Sequence, residues 1–270
     1  MERPAWAPRS IDISVPSVSR IYDYYLGGSH NFEVDREAAR KAMEFMPGIP
    51  KIAQANRAFM RRAVHYAVAE GVTQFLDIGS GIPTFGNVHE VAQAAAPGAR
   101  VVYVDHDPVA VAHSQVVLQG NEDAGVVAAD LRKPRDVLAA PEVRRLIDLN
   151  RPVAVLLVAI LHFVEDAEDP YSAVAELRDA LAPGSLLVVT HASYDRIPLP
   201  PEQAEGAVDV YKNIRNPLIM RSRDDIARFF EGYDMVEPGL VPMPDWRPDT
   251  APEDVDPYAY SGFAGVGRVA

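Results

Sequence analysis

Cysteine, basic charge and long apolar runs are all scarce or absent in this chain of 270 residues. There is no cysteine, which excludes a disulfide framework, a thiolate metal site and a cysteine nucleophile. Lysine and arginine number 26 against 38 aspartates and glutamates, a formal net charge of −12. We therefore expect no nucleic-acid or membrane partner, because both surfaces require basic patches.

Long apolar segments are also missing. The longest strongly apolar run, residues 153–161, is far too short to span a bilayer. The first residues, M-E-R-P-A-W-A-P-R-S, lack the apolar core of a signal peptide. Hydrophobic residues still make up 48% of the chain, which is enough for a substantial core. We therefore expect a globular, cytoplasmic protein.

The rest of the chain is organised around Gln74–Gly81, Q-F-L-D-I-G-S-G. An apolar run followed by two glycines one residue apart is typical of a buried parallel strand that opens into a tight turn. Glycine suits such a turn because it reaches backbone angles that side chains forbid, and because it has no Cβ to block a ligand.

Two kinds of ligand compete for this turn. A dinucleotide fingerprint would run from G-x-G-x-x-G directly into a helix that holds a pyrophosphate. Here Thr84 stands at the sixth position, and the helix begins only near Asn87, which forms a capping box with Glu90. The loop is therefore too long to place that helix end on a phosphate. Asp77 also suits an ammonium group, so S-adenosylmethionine, which has an ammonium and a ribose diol but no phosphate, is favoured over NAD.

The central region alternates strands and helices, which predicts a parallel sheet covered on both faces. A polar residue stands where each of the predicted strands ends, and ligands of open α/β sheets bind at that edge. These residues are Asp77, Asp105, Asp130, His162 and His191. Their coincidence at one edge is more specific than any one of them alone.

Most of these residues have an alternative role. Asp105 is placed for bidentate hydrogen bonds to ribose hydroxyls, whereas Asp107 is expected to cap the following helix. Asp130 could accept from an adenine amine or cap a loop. His162 and His191 could act as general acid or base, or they could be structural.

A tyrosine-rich segment, S-V-S-R-I-Y-D-Y-Y-L-G-G-S-H-N-F, precedes the sheet. Its helical spacing predicts a helix that ends at a glycine pair. Its aromatic side chains could pack on the domain surface, or the segment could form a lid over the ligand. Two more helices are predicted at residues 34–46 and 51–70, and Arg57 on the second could hold a ligand carboxylate or be solvated.

The last third of the chain predicts helices at residues 202–214 and 224–231, the second of them capped by Ser222 with Asp225. Two final strands follow. The Pro- and Asp-rich loop between them, residues 243–257, could be a mobile flap or a surface excursion.

With these residues assembled, the chain resembles a class I S-adenosylmethionine-dependent methyltransferase. More closely, it resembles the actinobacterial S-adenosyl methyltransferase family once catalogued as a domain of unknown function, DUF574. The resembling pieces cover most of residues 17–192: the tyrosine-rich segment with D-R-E-A-A, N-R-A-F-M-R-R-A-V, F-L-D-I-G-S-G-I-P-T, V-V-Y-V-D-H-D-P and L-H-F-V. The glycine motif alone is weak, but the set is strong.

The resemblance implies an α/β fold with a Rossmann-like seven-stranded sheet, mostly parallel with an antiparallel last strand, and an N-terminal helical cap. It implies a single domain over residues 1–270. Within that domain we expect a flexible tail at residues 1–16, the helical cap at residues 17–70 and the Rossmann-like core at residues 71–270.

The resemblance also implies roles by position. The methionyl end of S-adenosylmethionine would lie at the glycine loop, the ribose at Asp105, and the adenine at Asp130. The residues expected to bind this cofactor, or its product S-adenosylhomocysteine, are Asp77, Gly79, Ser80, Gly81, Asp105, His106, Asp130, Leu131, Ala159, Ile160, Tyr24, Gly28, His30, Asn31 and Arg57. The candidates for a catalytic acid or base are His162, His191 and Tyr22. No metal site is expected.

The implied activity is S-adenosylmethionine-dependent methyl transfer, EC 2.1.1.-, to an unidentified small-molecule acceptor. One alternative is a catalytically silent protein that binds S-adenosylmethionine or S-adenosylhomocysteine, and the other is an NAD-dependent oxidoreductase. No Asn-Pro-Pro-Tyr type tetrapeptide follows the fourth strand, which argues against methylation of nucleic-acid bases or glutamine. A homodimer is left open.

Overall fold

The computed structural model describes residues 12–84, 86–200, 206, 209–211, 217–249 and 256–270. Most of the tail expected at residues 1–16 lies outside these ranges, and so does most of the helix expected at residues 202–214.

Three helices precede the sheet: α1 (Val18–Tyr25), α2 (Glu33–Phe45) and α3 (Ile49–Ala69). A buried ion pair joins the first two, since Arg20 Nε donates to the Asp35 carboxylate at 2.9 Å and the side chains are 3% and 0% exposed. The same carboxylate accepts the backbone N–H groups of Ser17 and Phe32. Such a fully satisfied buried carboxylate fixes the packing of α1 against α2.

One sheet contains the eight strands of the described residues: β1 (Gln74–Ile78), β2 (Arg100–Asp105), β3 (Ala124–Ala128), β4 (Ala154–Val158), β5 (Leu186–Ala192), β6 (Tyr233–Met235), β7 (Val241–Pro242) and β8 (Gly262–Val269). Seven of them follow the order β3-β2-β1-β4-β5-β8-β6, and the short β7 also pairs with β8. The first five strands are parallel, and β8 is antiparallel to its neighbours. The expected mostly parallel sheet with an antiparallel last strand is confirmed.

The eighth strand arises because the first of the two expected C-terminal strands is divided. Pro238 has no N–H to donate, and Gly239 has φ +87° and donates its N–H to Val236 O at 2.8 Å. This turn separates β6 from β7, so two short strands stand where one was predicted.

Within the described ranges, the helices that lie between the strands include α4 (Val88–Ala95), α5 (Pro108–Val117), α6 (Pro134–Ala139), α7 (Pro141–Leu146), α8 (Pro170–Asp179) and α9 (Arg223–Ala227). The predicted caps are confirmed: Asn87 forms its capping box with Glu90, Asp107 accepts the Val109 N–H at 2.8 Å, and Ser222 Oγ accepts the N–H of Asp225.

Alternating residues of the central strands cover the two faces of the sheet. Leu76 and Val102 belong to one buried cluster, whereas their chain neighbours Phe75 and Val101 belong to the cluster on the other face. This follows from the period of two in a β-strand. Because both faces are buried, the open carboxyl edge of the parallel strands is where a ligand can reach the sheet. No helix within the described ranges is both long and apolar enough to cross a membrane.

The first half of the predicted loop at residues 243–257 is packed, not mobile. Trp246 is fully buried, and its ring meets those of Phe59 and Tyr66 edge to face. Arg62 donates to Met243 O at 2.7 Å and to Trp246 O at 2.9 Å. The flap interpretation is therefore wrong for residues 243–249, and residues 250–255 lie outside the described ranges.

Candidate functional site

The turn after β1 requires both of its glycines. Gly79 has φ +74° and Gly81 has φ +68°, a backbone region that side chains disfavour. A Cβ on Gly79 would also lie 2.4 Å from Ile160 Cγ1, whereas nothing lies within 4 Å of one on Gly81. The N–H of Gly79 donates to Val104 O at 2.8 Å, which holds the turn against β2.

A cavity of about 250 Å³ opens beside this turn. Its walls combine the carboxyl edge of the sheet, one face of α3 and the N-terminal segment. The predicted site residues that line it are Tyr22, Arg57, Asp77, Gly79, Ser80, Gly81, Asp105, His106, Ala159 and Ile160. A smaller hollow of about 20 Å³ extends from Asp105 and His106 to Asp130 and Leu131. The structure thus brings together residues that are separated by more than a hundred positions in the chain.

Asp105 is held rigidly at the cavity wall. Its Oδ2 accepts the N–H of Gly81 and its Oδ1 accepts the N–H of Asp107, both at 2.8 Å. Burial raises the pKa of Asp105, although these two hydrogen bonds act in the opposite direction. A carboxylate has about four lone-pair sites, so two more donors, such as a vicinal diol, can be bound.

Asp77 lies at the end of β1 in a strongly desolvated position. Burial raises the pKa of Asp77 to about 7, the charge of Arg57 opposes this shift, and the charge of Asp105 adds to it. An added cation would stabilise the ionised form of this carboxyl group. Beside it, the hydroxyl oxygen of Ser80 is buried and makes no hydrogen bond to the described part of the chain. These groups suit an amino-acid moiety that carries an ammonium and a carboxylate.

Asp130 lies at the rim of the small hollow and is held by Arg132. Arg132 Nη2 donates to Asp130 Oδ2 at 2.6 Å, and Arg132 Nη1 donates to Glu168 at 2.6 Å. Partial burial raises the pKa of Asp130, but the hydrogen bonds and charge of Arg132 outweigh this effect and lower it. Asp130 is therefore an ionised, oriented acceptor beside Leu131, and the loop-cap role applies as well, since it accepts the Arg132 N–H.

Four predicted site residues lie away from the cavity lining, in and around the turn between α1 and α2: Tyr24, Gly28, His30 and Asn31. The buried Asp23 organises this turn, since its Oδ2 accepts from His30 N at 2.9 Å and from Asn31 Nδ2 at 2.8 Å. A Cβ on Gly28 would lie 2.0 Å from Asp23 Oδ1. These residues shape the cap, and sequence alone could not show that a buried aspartate engages them.

The N-terminal residues that do line the cavity come earlier in the chain, at positions 12 and 15–20, together with Tyr22. The Ser17 hydroxyl donates to the Asp107 carboxylate, and Arg20 Nη2 donates to Val15 O at 2.6 Å. The cavity is therefore lined by the beginning of the segment predicted as a lid, residues 17–20 with Tyr22, and by residues 12, 15 and 16 before it.

His191 is the penultimate residue of β5, paired with Phe263, so it lies at the carboxyl end of the strand, one residue earlier relative to the strand end than predicted. Its Nδ1 donates to Ala192 O at 2.6 Å, and its Nε2 accepts from Arg221 Nη1 at 2.8 Å. Burial lowers the pKa of His191 to about 3, and Arg221 contributes to the shift. Both ring nitrogens are committed to the protein, which leaves neither of them for a substrate proton.

His162 has one nitrogen committed. Its Nδ1 accepts the Ala192 N–H at 3.3 Å, so the proton of the neutral ring is on Nε2. Burial lowers the pKa of His162 well below its usual value, and His191 and Arg221 add to this effect. This histidine is therefore neutral and offers a hydrogen-bond donor.

A chain of hydrogen bonds links α1, α3, β5 and the end of β4. Asn56 Nδ2 donates to Tyr22 Oη at 2.8 Å, and Thr190 Oγ1 donates to Asn56 Oδ1 at 2.6 Å. The Ala159 N–H donates to Thr190 Oγ1 at 2.8 Å. Ala159 adopts φ +58°, which is rare for alanine, so this chain holds a strained residue at the cavity wall.

Comparison with known proteins shows the family to which the chain belongs. The model of a family described as S-adenosyl methyltransferase matches residues 4–270. The chain belongs to the S-adenosyl methyltransferase family. None of the curated proteins with which it was compared matches it.

Two solved structures resemble this S-adenosyl methyltransferase family member over nearly their whole length. A protein from Thermobifida fusca YX, named as an inferred methyltransferase, is 39% identical with a TM-score of 0.91, covering 98% of this chain and 99% of that one. A DUF574 family protein from Streptomyces avermitilis MA-4680 is 37% identical with a TM-score of 0.90, covering 96% and 99%.

A more distant structure shares only the fold. The N-methyltransferase NodS from Bradyrhizobium japonicum WM9, solved with S-adenosyl-L-homocysteine, is 14% identical with a TM-score of 0.50, covering 93% of this chain and 98% of that one. Together with the strand order, it identifies the fold of this family member as that of the class I methyltransferases.

Sequence reasoning missed three buried polar residues of the site: Asn56, Thr190 and Arg221. Asn56 stands in the N-R-A-F motif, directly before Arg57, so its place on the same helix was a usable signal. Arg221 is 3% exposed and donates to Leu161 O, Val164 O and Asp166 besides His191. Nothing in its local sequence distinguishes it from a solvated arginine.

Proposed function

We propose that the 250 Å³ cavity binds S-adenosylmethionine and that the protein transfers its methyl group to a small-molecule acceptor. The observation that carries this proposal is the position of Asp105, whose two oxygens are fixed by the amides of Gly81 and Asp107 at the wall of that cavity. A carboxylate there, at the end of the second strand, suits a ribose diol.

The other groups of the cavity fit the remaining parts of this cofactor. Asp77 would face the ammonium group, and the Ser80 hydroxyl and Arg57 would face the carboxylate. Asp130 would accept from the adenine amine, with Leu131 against the ring. His106, Ala159 and Ile160 would complete the wall. This assignment gives the buried polar groups of Asp77, Ser80 and Asp105 a complementary partner, as buried polar groups require.

The bound cofactor would supply a methyl group on a sulfonium sulfur, which is open to in-line attack. The contribution of the protein is to position the reactants and to exclude water. Residues 12 and 15–20 lie over the cavity, and the chain from Tyr22 through Asn56 to Thr190 fixes its inner wall. Tyr22 and Phe163, which also line the cavity, would lie beside the bound cofactor.

The geometry supports transfer without a protein base. His191 has no free nitrogen, and His162 offers a donor. Burial raises the pKa of Tyr22, although Asn56 and Arg57 oppose the shift, so this hydroxyl stays protonated. We therefore propose that none of the three candidate residues removes a proton and that His191 is structural.

The NAD-dependent alternative is disfavoured by the helix after the glycine loop. Helix α4 begins at Val88, well beyond Gly81, and its cap is closed by hydrogen bonds between Asn87 and Glu90. The N-terminus of α4 is therefore too far along the chain from the turn to hold a pyrophosphate at Gly79–Gly81 as a dinucleotide fingerprint requires. A cytoplasmic protein without nucleic-acid or membrane partners remains our proposal, supported by the net charge of −12.

Calorimetric titration of the purified protein tests this function. We expect binding of S-adenosylmethionine and S-adenosylhomocysteine with micromolar dissociation constants, and no binding of NAD at the same concentrations. Binding of NAD alone would overturn the assignment. Binding of the adenosyl ligands with no release of S-adenosylhomocysteine on incubation with any acceptor would favour the catalytically silent alternative.

A further inference from the structure

A second cavity of about 120 Å³ adjoins the first. Tyr22, Asn56, Ala159 and Phe163 line both, so these four residues form the boundary between them. The second cavity lies between the helical cap and the carboxyl ends of β4 and β5. A molecule bound in it would be next to the end of the cofactor cavity where Ala159 stands.

The lining of this second cavity is apolar and carries no formal charge. No aspartate, glutamate, lysine or arginine belongs to it among the residues that the structure describes. Three methionines, Met46, Met220 and Met243, lie around it. Methionine side chains adapt to the shape of flat apolar ligands. A charged molecule would lose its hydration here without gaining an opposite charge from the wall.

The few polar groups around the cavity are donors or are already paired. The hydroxyl groups of Tyr25 and Tyr211 hydrogen-bond to each other at 2.9 Å. The Ser261 hydroxyl is buried with no hydrogen bond to the described residues. His162 carries its proton on Nε2, because its Nδ1 accepts the Ala192 N–H. This arrangement offers donors to a polar atom of a ligand and offers no base.

We propose that the second cavity is the methyl-acceptor site and takes an uncharged ring compound whose nucleophilic atom, such as an sp² ring nitrogen, carries a free electron pair at neutral pH. His162 acts there as a positioning residue, donating through Nε2–H to a polar atom of the acceptor other than the nucleophile. This inference rests on the proposed cofactor site.

The transfer balances without a proton acceptor. The electron pair of the ring nitrogen forms the new N–C bond, and the S–C bond breaks with its pair remaining on sulfur. The sulfonium becomes a neutral thioether, and the positive charge moves to the methylated ring. Because no proton leaves the acceptor in this step, the lack of a base in the cavity is no obstacle.

The first test measures acceptor binding to protein saturated with S-adenosylhomocysteine. The probes are quinoline, the anion 1-naphthoate and the cation 1-naphthylmethylammonium, which are similar in size. We expect calorimetry to show at least tenfold tighter binding of quinoline than of either ion. Met220→Trp should weaken quinoline binding at least tenfold, because the indole fills the cavity. Met235→Trp, at a half-exposed position on β6, is the matched control and should leave it unchanged.

Failure of the acceptor proposal can be distinguished from failure of the proposed cofactor site. If the wild-type protein does not bind S-adenosylhomocysteine, the proposed cofactor site itself is wrong. If that ligand binds but quinoline does not, or binds no better than the ions, the acceptor proposal is wrong. It is equally wrong if Met220→Trp keeps both its affinity for S-adenosylhomocysteine and its affinity for quinoline.

A second test examines the role of His162 through steady-state kinetics with S-adenosylmethionine and quinoxaline, whose second ring nitrogen can accept a hydrogen bond while the first attacks the methyl group. His162→Leu should raise the KM for the acceptor at least fivefold, while kcat falls less. In His162→Gln the side-chain amide can donate near the position of Nε2, so the KM for the acceptor should return close to the wild-type value. A pH profile of kcat that is flat between pH 7 and 9 is expected for wild type. A rising limb that disappears in His162→Gln would instead identify the histidine as a base.

Discussion

At the scale of single residues, the site depends on carboxyl groups whose burial and partners differ. Asp105 has its oxygens held by backbone amides, whereas Asp77 is buried near Arg57 with a pKa raised to about 7. Asp130 is paired with Arg132 and is ionised at neutral pH. The three groups are therefore suited to different parts of one ligand: a diol, an ammonium group and an amine.

The raised pKa of Asp77 predicts that cofactor affinity depends on pH. Its carboxyl group is protonated in the free protein below about pH 7, and binding an ammonium group there requires the proton to leave first. Affinity for S-adenosylhomocysteine should therefore be constant above that pH and should fall by up to about tenfold per pH unit below it. Calorimetry between pH 5.5 and 8.5 measures this.

Asp77→Asn is the control for this pH dependence. It should bind S-adenosylhomocysteine more weakly at pH 8 and should show little change of affinity down to pH 6, because the titrating group is gone. The same slope in wild type and in Asp77→Asn would assign the pH dependence to another group and contradict the ammonium assignment.

A glycine can be required because its φ is positive or because a neighbouring side chain leaves no room for a Cβ. Substitutions at two glycines separate these two constraints. Gly79→Ala and Gly71→Ala both place a Cβ at positive φ, but only the Cβ on Gly79 meets a neighbour. We expect Gly71→Ala to lower the free energy of unfolding by about 1–2 kcal/mol. Gly79→Ala should cost about 1–3 kcal/mol more, because Ile160 has to move.

Urea denaturation of both glycine variants checks this difference, and S-adenosylhomocysteine titration should show weakened binding only for Gly79→Ala. Equal stability losses in the two variants would mean that the close approach to Ile160 has no energetic weight.

At the scale of elements, the N-terminal helices do more than cover the sheet. The segment before α1 lies over the cavity and is tied to Asp107 through Ser17, while Arg20 and Asp35 lock α1 onto α2. The site is therefore assembled from the sheet edge and from a cap whose position depends on one buried ion pair.

Removal of that ion pair should be costly. Asp35→Ala leaves the Arg20 guanidinium buried without its partner and should lower the free energy of unfolding by about 3–5 kcal/mol. Glu33→Ala removes an exposed carboxylate that pairs with Arg36 and Arg40, and it should cost less than about 1 kcal/mol. Urea denaturation monitored by circular dichroism gives both values, and similar losses would show that the buried pair does not hold the cap.

The elements that could be predicted from sequence are those with a strong local pattern. The glycine turn, the caps at Asn87 and Asp107 and the buried strands follow from residue type and periodicity, and the structure confirms them. The division into β6 and β7, and the packing of Trp246 onto α3, depend on contacts between distant segments, which no local pattern records.

Within the site, too, residues with a local sequence pattern could be predicted, whereas features that depend on contacts with other segments could not. Asp77, Asp105 and Asp130 could be found because carboxyl ends of parallel strands meet at one edge. The turn of His30 and Asn31 around Asp23, away from the cavity lining, and the closed environment of His191 could not, because they depend on buried partners that no local pattern reveals. Asp23 and Arg221 are two such partners.

At the scale of the whole molecule, we propose that residues 1–270 form one domain. Helix α3 packs against the sheet, Arg62 on this helix holds the loop at Trp246, and Arg268 on β8 donates to Glu70 at 2.6 Å. The cap therefore contacts both the beginning and the end of the core. These contacts between the cap and the core agree with a single family model that matches residues 4–270.

The central claim is that Asp105 binds the ribose of an adenosyl cofactor, and one comparison tests it most directly. The affinity for S-adenosylhomocysteine of the wild-type protein and of Asp105→Ala is measured by calorimetry, with thermal denaturation to confirm that the variant is folded. Two hydrogen bonds to a charged group contribute about 3 kcal/mol or more, so we predict a loss of at least about 100-fold. An unchanged dissociation constant in folded Asp105→Ala would contradict the account.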